Sequence, residues 1–122
     1  MTLHFILLLK RRPDMTREQF SEYWNTNHAR IFMSFKAVKD HIVRYNQFHV
    51  LSPAADMIAS AGFSVPAFDG AAEFWVDSME DMLAFIGSED FKTLGAADEE
   101  KFMDRTATQI LVGEDRLKWV KP

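Results

Sequence analysis

The order of apolar segments along the chain limits its possible folds more than any other feature of the sequence. Leu3–Lys10 is an almost continuous apolar run, which is typical of a strand covered on both faces. Three later segments combine apolar and aromatic residues between turn-forming residues, so we predict strands there as well. The four predicted strands are Leu3–Lys10, Ile42–Val50, Ala71–Val76 and Thr106–Val112.

Two capping boxes predict where helices begin between these strands. Thr16, followed by Gln19 three residues later, predicts the start of the first helix. Ser78 with Asp81 predicts the start of the second. The first helix is predicted over 17–28, or onwards to 39 because neither Gly nor Pro interrupts it, and the second between Ser78 and Gly87.

The resulting order β-α-β-β-α-β predicts an α+β fold of the ferredoxin-like type, in which both helices cover one face of a four-stranded antiparallel sheet. A chain of 122 residues has the size of one domain, so we assign residues 1–122 to a single domain. The segment 51–70 contains two Pro and two Gly, and a connection of this length is typically a lid, a binding loop or a mobile loop. A short helix is predicted over 54–61 and a charged helical segment over 96–104.

The second face of such a sheet has no helix to cover it. We expect it to expose Trp75, Tyr45 and a good part of the aromatic inventory, which includes 11 Phe and 3 Trp. An apolar patch of that size is usually covered by a partner, so the sequence predicts a homodimer.

Composition excludes several classes of function. A net charge of −4 with no basic cluster argues against nucleic acid as a partner. The chain has no Cys, which rules out disulfides, thiolate nucleophiles and Cys-ligated metals. The N-terminal apolar run is too short to span a membrane and lacks the features of a signal peptide, so we expect a cytoplasmic protein that does not bind membranes.

The segment Gln19–Ile31 carries the most informative helical pattern. Its apolar and aromatic residues share one helix face with a histidine, and these residues are Phe20, Tyr23, Trp24, His28 and Ile31. A helix that buries this face against a sheet places His28 at the edge of a ring-lined space. The alternative is that His28 only caps the helix end, where a cation or donor is favoured.

The second predicted strand presents Tyr45, Gln47 and His49 on one face because side chains alternate along a strand. Over a cavity, these residues supply a phenol, an amide and an imidazole to one ligand. On an exposed sheet face, the same three residues would not indicate a ligand site. The third strand presents Glu73 and Trp75 on one side, and Glu73 either orients an imidazole or pairs with an arginine.

Three segments together resemble the EthD-domain family: RRPDMTREQFSEYWNTNHARI, YNQFHV and FDGAAEFWVDSMEDMLAF. That family carries a Phe-x-x-Tyr-Trp element followed by a histidine, and an Asp-Gly that leads into a strand containing Glu and Trp. The resemblance covers roughly residues 3–112 and implies a dimeric α+β barrel. Its relatives include fungal atrochrysone carboxylic acid decarboxylase-like proteins, polyketide cyclases and cofactor-independent monooxygenases. Family members often have Pro soon after the histidine, whereas Ala29-Arg30 follows here, so the helix can continue and turn His28 differently.

The leading functional hypothesis is a cofactor-independent lyase of aromatic polyketide biosynthesis that decarboxylates a polyketide carboxylic acid. Cyclisation or dehydration of a polyketide, oxygenation of an anthrone, and non-catalytic binding of a small molecule are the alternatives. Acid/base work on such substrates suits imidazoles, which titrate near neutral pH, together with a phenol donor. The predicted catalytic residues are His28, His49 and Tyr45, and the predicted substrate-binding residues are Trp24, Phe35, Gln47, Glu73 and Trp75.

No cofactor or metal is expected. The four His, with Asp69 and Glu73, show none of the short spacings that are typical of zinc sites. The chain also lacks a Gly-rich phosphate-binding loop, which argues against nucleotides. Haem binding through a single His stays open.

Overall fold

The computed structural model describes residues 2–122 of the chain. Its sheet has four antiparallel strands in the order β2-β3-β1-β4, which confirms the predicted ferredoxin-like α+β arrangement. The strands are β1 (Leu3–Leu9), β2 (Arg44–His49), β3 (Gly70–Val76) and β4 (Gln109–Gly113).

The helices begin where the caps predict. Thr16 and Gln19 form the reciprocal capping box of the first helix, and Ser78 accepts a hydrogen bond from the backbone N–H of Asp81 at the start of another. The α-helices are α1 (Arg17–Tyr23), α2 (Ala29–Met33), α3 (Lys36–His41), α4 (Ser52–Ser60), α5 (Met79–Ile86) and α6 (Ala96–Glu99). Two π-helical turns, Trp24–His28 and Phe91–Gly95, and a 3₁₀ turn, Arg105–Ala107, complete the chain path.

The first helical stretch follows the longer of its two predicted courses, but it is irregular at two places. It passes through a π-helical turn at Trp24–His28 and continues into α2, so His28 lies inside the helical path and does not cap its end. The stretch then breaks at Phe35, whose backbone is extended at φ −69° and ψ 132°, before α3 begins. The break lets Phe32 and Phe35 both bury their rings in the core, where they are 3% and 2% exposed.

The second half also differs from its prediction. The segment 96–104 is helical only over α6, and the 3₁₀ turn at Arg105–Ala107 delays the start of β4 to Gln109. Asp104 causes this turn because its side chain accepts hydrogen bonds from the backbone N–H and the hydroxyl of Thr106. The turn keeps Arg105 and Thr108 beside the helices.

The core lies between the helices and one face of the sheet. Alternation along the strands places Phe5, Ala72 and Phe74 on this face. Tyr45 lies on the same face, because its ring stacks on Phe74 at a centroid distance of 5.3 Å, so the expectation that Tyr45 is exposed on the uncovered face is wrong. The large side chains that are buried most completely are Phe20, Trp24, Phe35, Phe85 and Phe102.

The uncovered face of the sheet carries His4, Trp75 and Arg44. The His4 ring stacks on the Trp75 indole of β3 at a centroid distance of 4.0 Å. Arg44 lies on the neighbouring strand, β2, and its guanidinium is 4.5 Å from the centroid of the same indole. Asp115 follows β4 and bonds to both rings, at 2.7 Å to His4 Nδ1 and 2.6 Å to Trp75 Nε1. None of the helices in residues 2–122 is both long and apolar enough to cross a membrane.

Gly70 begins β3 at a point where the backbone lies against the core. A Cβ atom at this position would meet Trp24 Cζ3 at 2.5 Å and the Phe48 carbonyl oxygen at 2.9 Å. We expect Gly70→Ala to lower the free energy of unfolding by about 1–3 kcal/mol, because the strand or the indole must move. Urea denaturation measures this change.

Gly113, at the end of β4, provides the matched control because a Cβ atom there meets nothing within 4 Å. Gly113→Ala should leave the free energy of unfolding nearly unchanged. Equal losses in the two variants would contradict the close packing of Gly70 on Trp24.

Candidate active site

A cavity of about 400 Å³ lies between the helices and the covered face of the sheet. This volume lies within the range of roughly 300–1,000 Å³ that is typical of small-molecule sites. Most of its walls are apolar or aromatic, and two small residues, Ala72 and Gly95, help to leave the space open. The residues that line the cavity include Trp24, His28, Phe32, Tyr45, Phe74, Phe85, Phe91, Glu99, Phe102, Arg105 and Thr108.

A buried carboxylate holds the histidine of this cavity. His28 Nδ1 lies 2.7 Å from Asp98 Oδ2, and the Tyr23 hydroxyl donates to Asp98 Oδ1 at 2.5 Å. The side chains of Asp98 and His28 are 3% and 8% exposed. Both donors are therefore needed, because a buried carboxylate is stable only when it is hydrogen-bonded. Burial raises the pKa of Tyr23 to about 12, which keeps its hydroxyl protonated and donating.

The bond to Asp98 fixes the proton on His28. A carboxylate accepts, so Nδ1 carries the hydrogen and Nε2 keeps a lone pair. Within residues 2–122 no hydrogen-bond partner of Nε2 is found, and His28 lines the cavity. Burial lowers the pKa of His28, although the hydrogen bond and the charge of Asp98 oppose this shift. His28 is therefore a neutral base at pH 7, with a lone pair available to a ligand.

Tyr45 provides a donor in the same cavity. The Gln47 amide nitrogen donates to the Trp24 carbonyl oxygen at 2.9 Å and to the Tyr45 hydroxyl oxygen at 2.8 Å. Because Tyr45 accepts from Gln47, its own O–H is free to donate to a ligand. Burial raises the pKa of Tyr45 to about 12, and the hydrogen bond from Gln47 only partly opposes this. The phenol is thus a stable donor and not a base.

His49 does not share this cavity. Its Nδ1 bonds to the Ser21 hydroxyl at 2.5 Å and its Nε2 bonds to Gln47 Oε1 at 2.8 Å, and it lines a separate outer groove together with Ser21. The Trp24 indole lies against His49 at a centroid distance of 4.6 Å and also lines the cavity. His28 and His49, which were predicted to act together as catalytic residues, therefore lie in different places, and Trp24 separates the cavity from the groove that His49 lines.

The predicted substrate-binding residues divide in the same way. Trp24 lines the cavity. Gln47 does not line it, but Gln47 donates a hydrogen bond to the hydroxyl of Tyr45, which does. Phe35 is buried in the core without lining the cavity. Glu73 and Trp75 lie on the uncovered face because their positions on β3 alternate with those of Ala72 and Phe74. On that face, Glu73 accepts a hydrogen bond from Asn46.

A polar edge of the cavity consists of Glu99, Arg105 and Thr108, none of which the sequence pattern singled out. Glu99 Oε1 lies 3.6 Å from Arg105 Nε. Burial raises the pKa of Glu99, while the charge of Arg105 lowers it and that of Asp98 raises it. Thr108 Oγ1 is buried without a hydrogen-bond partner among the described residues.

Sequence reasoning also missed Asp98 and the role of Tyr23. Asp98 lies in a charged stretch that resembles a solvated surface. The only signal is its spacing from Gly95 and Phe102, since positions i, i+3 and i+7 share one helix face, and all three residues are buried. Within residues 2–122, no three His, Asp or Glu side chains converge as metal ligands.

His28 and His49 should differ in tautomer, and this tests the hydrogen-bond network. The two donations made by the Gln47 amide orient its Oε1 towards His49, so His49 carries its proton on Nε2, whereas His28 carries its proton on Nδ1. Burial lowers the pKa of both, so both should titrate below the usual value of about 6.5. Long-range proton–nitrogen NMR correlations across a pH series measure both properties. The same tautomer in both rings would contradict the network.

Several solved structures have a fold similar to that of this chain. Among solved structures, an EthD family protein from Bacillus halodurans has a TM-score of 0.64 and 17% identity, over 95% of this chain and 100% of that chain. A dimeric protein of unknown function with a ferredoxin-like fold from Bacteroides fragilis has a TM-score of 0.65 and 13% identity, over 93% and 96%. A mutant of SnoaB, a cofactor-independent oxygenase from Streptomyces nogalater, has a TM-score of 0.58 and 8% identity, over 98% of each chain.

At these identities the structural likeness shows a shared fold and nothing further. A search of curated proteins found no match. The EthD domain profile matches residues 12–106, which is more than half of the chain. The protein therefore belongs to the EthD-domain family.

Proposed function

We propose that the chain is a cofactor-independent enzyme that carries out acid/base chemistry on a flat aromatic substrate of the polyketide type. The observation that supports this most directly is the free Nε2 of His28, which faces an apolar cavity while Asp98 holds the other ring nitrogen. A base that is oriented by a buried carboxylate is the arrangement that general acid/base catalysis requires.

The cavity supports an aromatic ligand with oxygen substituents. Phe32, Phe74 and Phe102 supply ring faces and edges for stacking, and they exclude water from hydrogen bonds inside the cavity. The phenol of Tyr45 supplies a donor for a carbonyl or phenolate oxygen. A hydroxylated polycyclic ketone or acid matches this combination of apolar walls, one base and one donor.

The reaction we propose is the decarboxylation of a polyketide carboxylic acid, with His28 as the catalytic base and Tyr45 as the donor. His28 Nε2 takes the proton of a substrate hydroxyl and returns a proton to the ring carbon as the carbon–carbon bond to the carboxylate breaks. Carbon dioxide leaves, and one proton from solvent completes the balance. Tyr45 stabilises the electrons that are left on the substrate oxygen.

A second candidate reaction is the oxygenation of an anthrone, or a cyclisation that begins with the same proton abstraction. The lone pair of His28 favours it, because removing a C–H or phenolic proton is the first step that such substrates need. A cofactor-independent oxygenase, SnoaB, has a similar fold. A binding protein without turnover would use the same cavity and would not depend on the protonation of His28.

Products distinguish these functions directly. Purified protein should be incubated with a panel of aromatic polyketide acids and anthrones, and the product masses should be measured. Loss of carbon dioxide supports the decarboxylase, loss of water a dehydratase or cyclase, and gain of oxygen with oxygen consumption the oxygenase. Tight binding of the panel without any product would leave only the binding protein.

We also propose that two copies pair through the uncovered face of the sheet. Phe48 and Leu111 lie on this face at 57% and 58% exposure, at its two edges. Both are large apolar side chains that a second copy would cover. The similar protein from Bacteroides fragilis is described as dimeric.

His28→Gln should lower kcat/KM by about 10²–10⁴-fold, because this is the usual contribution of a general base. The matched control is His49→Gln, which changes a histidine outside the cavity and should alter kcat/KM only a few-fold. In the unchanged protein, activity should fall on acidification only below about pH 6.5, since burial lowers the pKa of His28 and protonation removes its lone pair. Equal losses in the two variants would contradict the role of His28.

Phe48→Asp with Leu111→Asp should convert the dimer into a monomer, because each carboxylate would be buried without a partner at the interface. Analytical ultracentrifugation at micromolar concentration measures the mass. Leu83→Asp on α5, where Leu83 is 62% exposed, is the control and should stay dimeric. An unchanged protein that sediments as a monomer would remove the proposed dimer.

A further inference from the structure

We propose that Arg105 and Thr108 form a subsite for the carboxylate of an aromatic acid, and that Glu99 takes up a proton when this carboxylate binds. The inference rests on the proposed function, in that the ligand is an aromatic molecule in the same cavity. It adds the residues that recognise the acid group of this ligand and a proton that accompanies binding.

Arg105 is only loosely held by its two carboxylate partners. Its guanidinium lies 3.6 Å from Glu99 and 3.7 Å from Glu100, whereas charge-assisted hydrogen bonds are typically about 2.7–2.9 Å long. Arg11 shows the contrast, because it donates to the buried Asp69 at 2.6 Å. Arg105 can therefore exchange its partner for a ligand carboxylate without breaking a short hydrogen bond.

Thr108 supplies an unused hydroxyl beside Arg105. Its Oγ1 is buried and has no hydrogen-bond partner among the described residues, and Thr108 lines the same cavity as Arg105. A buried polar group is normally paired, so the Thr108 hydroxyl has a hydrogen bond to give to a group that enters the cavity. A carboxylate oxygen accepts from both a hydroxyl and a guanidinium.

Glu99 provides the balancing charge. Its side chain is 15% exposed and lies between Arg105 and the neighbouring carboxylate Asp98. Burial and Asp98 raise the pKa of Glu99, and Arg105 is the one group that lowers it. When a ligand carboxylate binds Arg105, its negative charge offsets the positive charge that stabilised ionised Glu99. Glu99 then binds a proton, and the acid enters without adding net charge to the cavity.

The other charged groups near this edge are Glu100, Lys101 and His28. Glu100 is 71% exposed and Lys101 is 63% exposed, so water screens both. His28 is the only other group facing the cavity that titrates near neutral pH. A proton that accompanies binding therefore resides on Glu99 or on His28, and a variant at Glu99 distinguishes the two.

The test compares two probes of the same shape, a hydroxynaphthoic acid and the matching naphthol that lacks the carboxylate. Isothermal titration calorimetry near pH 7, in two buffers with different ionisation enthalpies, gives both the affinity and the number of protons exchanged. We expect the acid to bind with uptake of about one proton and the naphthol with none. Glu99→Gln should abolish the uptake and leave naphthol binding unchanged.

Arg105→Gln should weaken binding of the acid by roughly tenfold or more, because a charge-assisted hydrogen bond is lost, and should leave naphthol binding unchanged. Thr108→Val should weaken binding of the acid in the same direction. Arg116→Gln is the matched control, since Arg116 pairs with Glu114 outside the cavity and is 75% exposed. Unchanged naphthol binding also shows that each variant is folded.

Each outcome is decisive. If both probes bind but Arg105→Gln affects neither, the subsite is wrong and the aromatic cavity stands. If proton uptake persists in Glu99→Gln, the proton resides on His28 and the role of Glu99 is wrong. If neither probe binds the unchanged protein, the proposed function fails together with the subsite.

Discussion

The buried carboxylate of Asp98 is the interaction on which the arrangement of the candidate site depends. A charge that is 3% exposed is tolerated only when donors surround it, and here Tyr23 and His28 from the first helical stretch supply them. Asp98 itself lies on α6, far along the sequence. One charge thus joins two distant segments, orients the imidazole and selects its tautomer.

The order of the strands, the helix caps and the alternation of side chains along each strand could be predicted, because each depends on periodicity or on residues close in sequence. Alternation does not show which face of a strand the helices cover, which is why the expectation for Tyr45 is wrong. The sequence leaves open whether the helical path ends at His28 or continues past it, since neither Gly nor Pro marks an end in this stretch. The burial of Asp98 could not be predicted, for a different reason. Its neighbours are charged, and burial of a single acid in such a stretch is decided by a partner that lies 70 residues away.

The misplacement of His49 shows what periodicity omits. Tyr45, Gln47 and His49 share one face of β2, as alternation predicts, yet a strand advances about 3.3 Å per residue. The row from Tyr45 to His49 therefore extends beyond the cavity, and Trp24 lies against its far end. Alternation shows which side chains share a face of the strand, but only packing decides which of them reach the cavity.

The hydrogen bonds around Gln47 all donate in one direction, from Ser21 through His49 and Gln47 to the Trp24 carbonyl oxygen and the Tyr45 hydroxyl. Because the carbonyl oxygen can only accept, it orients the Gln47 amide, which in turn sets the proton positions on Tyr45 and His49. Ser21 is the end of this chain at the protein surface. A change at Ser21 therefore alters a hydrogen-bond chain that reaches the Tyr45 phenol, although Ser21 itself is not a residue of the cavity wall.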